Sequence, residues 1–80
     1  MLAVPQFPSV KADALLAVLL RAPLKYKIVR QNGSHRVLRS EGRPQILYSY
    51  HSGATVPPGV VRKILVDSVG LDEDEALDLL

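Results

Sequence analysis

The feature that most constrains the fold of this 80-residue chain is the dipeptide Asn32-Gly33 between two runs that suit β-strands. Residues 26–31 alternate in polarity and contain β-branched side chains, and residues 34–40 form a similar run on the other side. Asn-Gly is the strongest short hairpin signal, because a type I′ turn requires a positive φ at both central positions. The sequence therefore predicts an antiparallel hairpin with Asn32 and Gly33 at its tip.

This predicted turn also fixes the strand register, because the residues that flank a two-residue loop lie opposite each other. Arg30 then pairs with His35, and Val29 pairs with Arg36. In this register Arg30, His35 and Arg39 lie on one face of the hairpin, and Arg36 lies on the other. Apolar residues occur on both faces, so the pattern leaves open which face the helices cover.

A first helix is predicted before the hairpin. Apolar residues recur at helical spacing through residues 12–20, and Ser9 is a suitable N-cap. We expect the helix to run from Ser9 to about Arg21, where Pro23 would end it. Residues 1–8 contain two prolines and form a lead-in that we expect to be mobile or loosely packed.

A third strand and a second helix follow the hairpin. Residues 45–51 are rich in Ile, Leu and Tyr and predict the strand, with a loop after it up to Thr55. Pro58 suits the first position of a helix that runs to about Ser68, and Gly70 is its natural stop. The expected fold is α+β, in the order α-β-β-β-α, with a three-stranded antiparallel sheet and both helices on one face.

The C-terminal residues have a different character from the rest of the chain. Five of the eight acids lie in residues 72–80, and Asp72 and Glu75 have the spacing of a capping box for a short acidic helix. We therefore divide the chain into the lead-in 1–8, a domain 9–71 and an acidic helical tail 72–80. The tail could mask a basic surface, help to dock a partner or simply increase solubility.

Charge and composition restrict the classes of function. All ten Lys and Arg lie in residues 1–71 against three acids, a net charge of +7 that favours a polyanionic partner such as nucleic acid. The chain has two histidines and no cysteines, and its acids are concentrated in the tail, so a metal site is not expected. No nucleotide-binding loop is present, so no cofactor is expected.

The N-terminus has no basic segment before an apolar run, so no signal peptide is expected. The most apolar segment, residues 12–20, is about half the length needed to cross a bilayer. We expect a soluble cytoplasmic protein without membrane contact.

His35 is the candidate functional residue of the hairpin. An imidazole can give or take a proton near neutral pH, and nearby guanidinium groups can hold phosphate oxygens. Cleavage of an RNA chain requires a base for the 2′-hydroxyl, an acid for the leaving oxygen and positive charge at the phosphorus. The spacing alone also fits an exposed strand histidine without such a role.

Several segments together resemble the HicA toxin family, also called the YcfA-like family. They cover residues 9–71 and comprise Gly33-Ser34-His35, Val37-Leu38-Arg39, the strand up to His51, Pro58-Gly59-Val60-Val61-Arg62-Lys63-Ile64-Leu65 and Gly70-Leu71. The resemblance implies a fold like that of double-stranded-RNA-binding domains. It also implies an mRNA interferase, a toxin that cleaves mRNA without a metal and is neutralised by a HicB antitoxin that covers the active histidine.

The family motif places the catalytic histidine at His35. Arg30, Arg36, Arg39, Arg62 and Lys63 are then candidate RNA contacts. Asn32 and Gly33 are expected to serve turn geometry.

Two further residues of the motif leave alternatives open. His51 is either a second acid–base or phosphate-binding group, or a loop residue that bonds the backbone. Ser34 either orients His35 or simply begins the strand.

Two other functions remain possible on the same fold. A noncatalytic RNA-binding module would use His35 and the arginines only to grip phosphate. A degenerate toxin would mainly bind its antitoxin, because Arg36 occupies a position at which many relatives carry a second histidine.

Overall fold

The computed structural model describes residues 6–80 and has the predicted α+β architecture. Its elements are β1 (Val10–Lys11), α1 (Ala12–Leu20), β2 (Lys27–Asn32), β3 (His35–Arg39), β4 (Ile46–Ser49), β5 (Thr55–Val56), α2 (Pro58–Arg62) and α3 (Glu73–Asp78). Helix α2 continues directly into a π-helical segment, Lys63–Ser68. The predicted α-β-β-β-α order is therefore confirmed, with a small additional pair of strands, β1 and β5.

The start of α1 differs from the prediction. Lys11 is the N-cap, without a side-chain hydrogen bond, and the helix begins at Ala12, so the expected cap at Ser9 is wrong. The physical reason is the pairing of β1 with β5, which keeps the chain extended through Lys11. The N–H of Ala12 donates to the carbonyl of Ala54 at 2.9 Å, which joins the helix start to the segment before β5.

The three-stranded sheet has the predicted antiparallel order β2-β3-β4, but the register of its hairpin differs. Asn32 pairs with His35, so the two-residue loop is Gly33-Ser34 rather than Asn32-Gly33. Gly33 has a φ of 61°, and Asn32 and Ser34 have no positive φ. Glycine at the first central position is the signature of a type II′ turn, which leaves Asn32 in the strand.

A β-bulge removes part of this shift farther along the hairpin. Arg30 pairs with Val37 rather than with His35, and the register shifts again before Ile28, which pairs with Leu38. The extra residue, Val29, is 55% exposed. A bulge adds one residue to a strand and reverses the facing of the residues beyond it.

One face of the sheet packs on the helices and the other faces solvent. Leu38 pairs with Ile46 on the core side, and both are buried. Val37 pairs with Leu47 on the opposite side, where Leu47 is 66% exposed. We call this second side the outer face. The predicted arrangement of both helices on one face of the sheet is confirmed.

The core contains buried residues of α1, of the sheet, of α2 with its π-helical continuation and of α3. Leu15, Leu38 and Leu65 are fully buried in it, together with Ala76 of α3. Phe7 is also buried, so this part of the lead-in is packed rather than loose, whereas residues 1–5 lie outside the described residues. The acidic C-terminal helix is thus attached through its apolar side.

The predicted signals mark the start of α2, the end of its π-helical continuation and the start of α3. Pro58 is the first residue of α2, and Gly70, with a φ of 94°, follows the π-helical segment. Asp72 caps α3: its carboxylate accepts the N–H of Glu75 at 2.8 Å, and the Glu75 carboxylate accepts the N–H of Asp72 at 3.1 Å. The predicted capping box is confirmed.

Candidate functional site

His35 lies at the first position of β3, directly after the turn. It is exposed, and its strand partners are Asn32 in β2 and Ser49 in β4. Because residues paired across strands share a face and Val37 lies two positions on, His35 belongs to the outer face. The imidazole is therefore open to solvent at the hairpin end of the sheet.

The turn beside this histidine is tied to α1 by a chain of polar contacts. Arg36 donates from Nη1 to the carbonyl of Gly33 at 2.6 Å, and its guanidinium lies 5.0 Å from the centre of the Tyr50 ring. The Tyr50 hydroxyl donates to the carboxylate of Asp13 in α1. A cation over an aromatic ring adds an attractive term, so these contacts restrict the motion of the hairpin tip.

Ser34 lies in the turn itself, between Gly33 and His35. Its carbonyl accepts the N–H of Tyr50 at 2.7 Å, which joins the turn to the end of β4. Within the described chain its hydroxyl makes no hydrogen bond to another side chain or to the backbone. The backbone of Ser34 thus has a clear structural role.

His51 lies two residues beyond β4 and is exposed. Because Ser49 pairs with His35, the two histidines lie at the same end of the sheet. The carbonyl of His51 accepts the N–H of Ala54 at 3.0 Å. Its side chain, together with Lys63, lines a mostly apolar groove of about 360 Å³ between β4 and α2.

The candidate arginines separate into two groups. Arg30 pairs with Val37 and Arg39 lies two residues beyond Val37, so both share the outer face with His35. Arg36 is on the other side of β3 and donates to the turn. Sequence reasoning grouped the outer arginines correctly although it misplaced the pairs, because the turn shift and the pleat preserve this face.

Arg62 is occupied by acids of its own chain. Its Nε donates to the Glu73 carboxylate at 2.9 Å, and Nη1 lies 4.0 Å from the Asp67 carboxylate. The hydrogen bond and the charge of Glu73 raise the pKa of Arg62 above its ordinary value. Arg62 and its neighbour Lys63 lie in the helical layer, away from the outer face of the sheet.

Sequence reasoning did not identify Lys27 as a site residue. In a regular ladder Lys27 would lie with Arg36, but the bulge at Val29 returns it to the outer face, where it pairs with Arg39. No sequence signal marks that bulge, since Val29 reads as an ordinary strand residue. The cationic surface is consequently larger than the sequence indicated.

Residues 6–80 contain no group of three or more His, Asp or Glu side chains placed to hold a metal ion. In the same part of the chain, no helix has both the length and the apolar character required to cross a membrane.

A comparison with protein families decides the identity of the chain. The sequence model of the family described as the HicA toxin of bacterial toxin–antitoxin systems matches residues 15–69, which is more than half of the chain. The chain belongs to the HicA toxin family. The resemblance found in the sequence is thereby confirmed, and no curated protein or solved structure shows a significant match.

The match to the HicA family covers the candidate site. It extends from α1 through the hairpin, β4 and α2 to the end of the π-helical segment. Membership makes this chain the toxin of a toxin–antitoxin pair and implies an antitoxin partner. Both histidines lie inside the matched segment.

Proposed function

We propose that this HicA-family protein is a metal-independent endoribonuclease, an mRNA interferase, with His35 as its general acid–base. The observation that carries the proposal is the position of His35, exposed at the sheet end and on the same face as Arg30 and Arg39. An exposed imidazole beside guanidinium groups combines proton transfer with phosphate binding.

The proposed reaction needs neither a metal nor a cofactor. Neutral His35 takes the proton of the ribose 2′-hydroxyl, and the 2′-oxygen attacks the adjacent phosphorus. The bond between phosphorus and the 5′-oxygen then breaks, and an acid returns a proton to that oxygen. Arg30, which pairs with Val37 two positions from His35, would stabilise the negative charge that develops on the phosphorane.

His51 is the candidate for the acid, because it lies at the same end of the sheet and is exposed. Ser34 would support the site through its backbone, since its carbonyl is bonded to Tyr50. Arg36 would act by positioning, because it holds the Gly33 carbonyl next to the histidine.

The partner that we propose is a HicB-type antitoxin that covers the exposed histidine. The cell requires an antitoxin that covers His35, because an uncovered nuclease site would cleave cellular mRNA and arrest growth. The proposed location of both proteins is the cytoplasm, where the mRNA substrate lies.

The deciding experiment compares induced expression of the wild-type protein with that of His35→Ala. General acid–base catalysis contributes about 10²- to 10⁴-fold, so His35→Ala should restore growth and leave mRNA intact. His51→Ala, made in parallel, should reduce cleavage if His51 is the acid. Purified proteins and a labelled mRNA provide the direct measurement.

A noncatalytic RNA-binding module gives a different result. Wild type and His35→Ala would then bind RNA, leave it uncleaved and affect growth equally. That outcome would contradict the nuclease proposal. A degenerate toxin would bind its antitoxin without affecting RNA.

A further inference from the structure

The outer face of the sheet carries cations well beyond the immediate surroundings of His35. Lys27 pairs with Arg39 at the far end of the hairpin, and Arg30 lies between this pair and the turn. Three adjoining hollows, of about 350, 380 and 660 Å³, lie one after another along the outer face, from Arg30 towards Lys27 and beyond it. Arg39 lines all three, so the hollows form one continuous surface.

The largest hollow extends the surface past the end of the hairpin. It lies between residues 23–27 and residues 39–43 and adds Lys25 to the lining, and it shares Arg43 with the hollow of about 380 Å³. The five cations together form what we call the cationic track: Lys25, Lys27, Arg30, Arg39 and Arg43.

The walls of this hollow are joined by two hydrogen bonds. The Ser40 hydroxyl donates to the carbonyl of Leu24 at 2.6 Å, and the Tyr26 hydroxyl donates to the carbonyl of Pro44 at 2.8 Å. Tyr26 and Leu24 are buried. Because both bonds link the two walls, the hollow is already formed in the free protein, which lowers the cost of ordering it on binding.

The backbone of Lys25, in the wall of this hollow, is held in one conformation. Lys25 has a φ of 55°, the left-handed region that a non-glycine residue adopts at a cost. Its N–H donates to the carbonyl of Arg21 at 2.9 Å, which holds that conformation.

The charges of the track have no acidic partners in the described chain. Both ion pairs found in residues 6–80 belong to Arg62, on the helical side of the molecule. Glu41 is the acid that lines the track, and it is exposed and forms no ion pair there. Five neighbouring cations against one acid produce a strongly positive potential.

We propose that the cationic track binds the phosphates of single-stranded RNA on one side of the scissile phosphate. The inference rests on the proposed nuclease function of His35. Four residue steps of β3 separate His35 from Arg39, which is about 13 Å at the usual strand rise. When the scissile phosphate of an extended RNA chain lies at His35, the next nucleotides of that chain reach the track.

This binding should depend on phosphates rather than on base sequence. The three hollows have no aromatic ring in their lining, so the stacking that holds bases in other single-strand sites is missing from this surface. Val29 and Val37 supply apolar contact in the smallest hollow. The track would therefore give affinity and orientation, and the choice of cleavage position would arise at the histidine.

The test uses Lys27→Gln/Arg43→Gln and a control, Lys11→Gln/Arg21→Gln, that removes two cations outside the track. Both are made with His35→Ala so that the RNA stays intact. Binding to a single-stranded RNA of about 12 nucleotides is measured over a range of salt concentrations. Loss of two phosphate contacts should lower the slope of log K against log salt by about 1.4 and weaken binding several-fold.

The control should keep the wild-type affinity and slope. Thermal unfolding of all three proteins shows whether the fold is retained, and the single variants replace any double variant that unfolds. Equal affinity and slope for the track and control variants would overturn the inference. A track variant that binds RNA normally but fails to bind the antitoxin would assign the surface to the protein partner instead.

A second measurement separates this inference from the nuclease proposal. With His35 present, the track variant should lose little cleavage of a dinucleotide, which is too short to extend from His35 to Lys27 and Arg43. It should cleave the longer RNA more slowly at low substrate concentration. Absence of cleavage in every protein would refute the nuclease, while the binding data would still decide whether the track holds RNA.

Discussion

At the scale of single residues, Gly33 determines the shape of the hairpin tip. Its φ of 61° lies in the left-handed region, and a β-carbon built there meets no atom within 4 Å. The requirement for glycine is therefore conformational rather than steric. The same residue begins the type II′ loop that places His35 at the start of β3.

Gly33→Ala should lower the free energy of unfolding by about 1–2 kcal/mol, the cost of the left-handed region for an alanine. Gly33→Asn should lose about as much, because the αL region that asparagine tolerates has a ψ of about +30° to +60°, whereas the first central position of a type II′ turn has a ψ of about −120°. Urea unfolding measures both differences. Gly59→Ala is a suitable control, since Gly59 has a negative φ and open space around it. Equal losses at the two glycines would contradict this explanation.

Arg36 illustrates how one residue can be interpreted differently once its contacts are known. Its charge suggested an RNA contact, whereas its guanidinium bonds the Gly33 carbonyl and covers the Tyr50 ring. We infer a positioning role at the hairpin tip. The contact with the Gly33 carbonyl stabilises the turn next to His35.

At the scale of elements, the acidic helix α3 is held by its cap and by its contact with α2. Glu73, in its first turn, neutralises Arg62, which removes that arginine from the free cationic surface. The buried Ala76 anchors the same helix in the core. The acids of α3 therefore act first on Arg62 and on their own helix, rather than on the outer face of the sheet.

Asp72→Ala should destabilise the protein by about 1 kcal/mol, because it leaves the N–H of Glu75 without its side-chain acceptor. Asp74→Ala is the matched control, since Asp74 lies in the same turn, is exposed and does not cap the helix. Thermal unfolding monitored by circular dichroism would compare the two variants. A loss for Asp74→Ala as large as that for Asp72→Ala would count against the capping box.

At the scale of the whole molecule, two buried tyrosines link the sheet to the rest of the chain. The Tyr48 hydroxyl donates to the carbonyl of Ala12 at 3.0 Å, at the start of α1. Burial, followed by the nearby Tyr50 and Asp13, raises the pKa of Tyr48 to about 12. Burial also raises the pKa of Tyr26, although Arg43 opposes this shift.

These shifts predict a loss of stability in alkali. Below about pH 10 tyrosine is neutral in both the folded and the unfolded protein, so stability is fully present. Between about pH 10 and pH 12 the unfolded chain releases the Tyr48 proton and the folded protein retains it. From this proton alone, each pH unit in this range should therefore lower the free energy of unfolding by about 1.4 kcal/mol.

Urea unfolding at several alkaline pH values measures this slope. Tyr48→Phe should be less stable at neutral pH by about 1 kcal/mol, since the hydrogen bond to Ala12 is lost. Its stability should also fall less steeply in alkali. An unchanged slope in Tyr48→Phe would assign the alkaline loss to other groups.

The sequence by itself determined the order of elements, the helical stop at Gly70, the capping box of α3 and the family. These features depend on local rules: glycine and proline restrict the backbone at their own positions, and apolar spacing identifies helices and strands. The same local pattern made His35 and the outer arginines candidates. None of these predictions required knowledge of distant contacts.

Only the tertiary structure decided the hairpin register, the start of α1 and the extent of the cationic track. The sequence allows either of two adjacent two-residue loops, and the structure has Gly33-Ser34, which pairs Asn32 with His35. The bulge at Val29 brings Lys27 beside Arg39, and β5 delays the start of α1. The pairing of β1 with β5 joins residues far apart in the chain, and neither the choice between two adjacent loops nor the bulge leaves a mark in the local pattern.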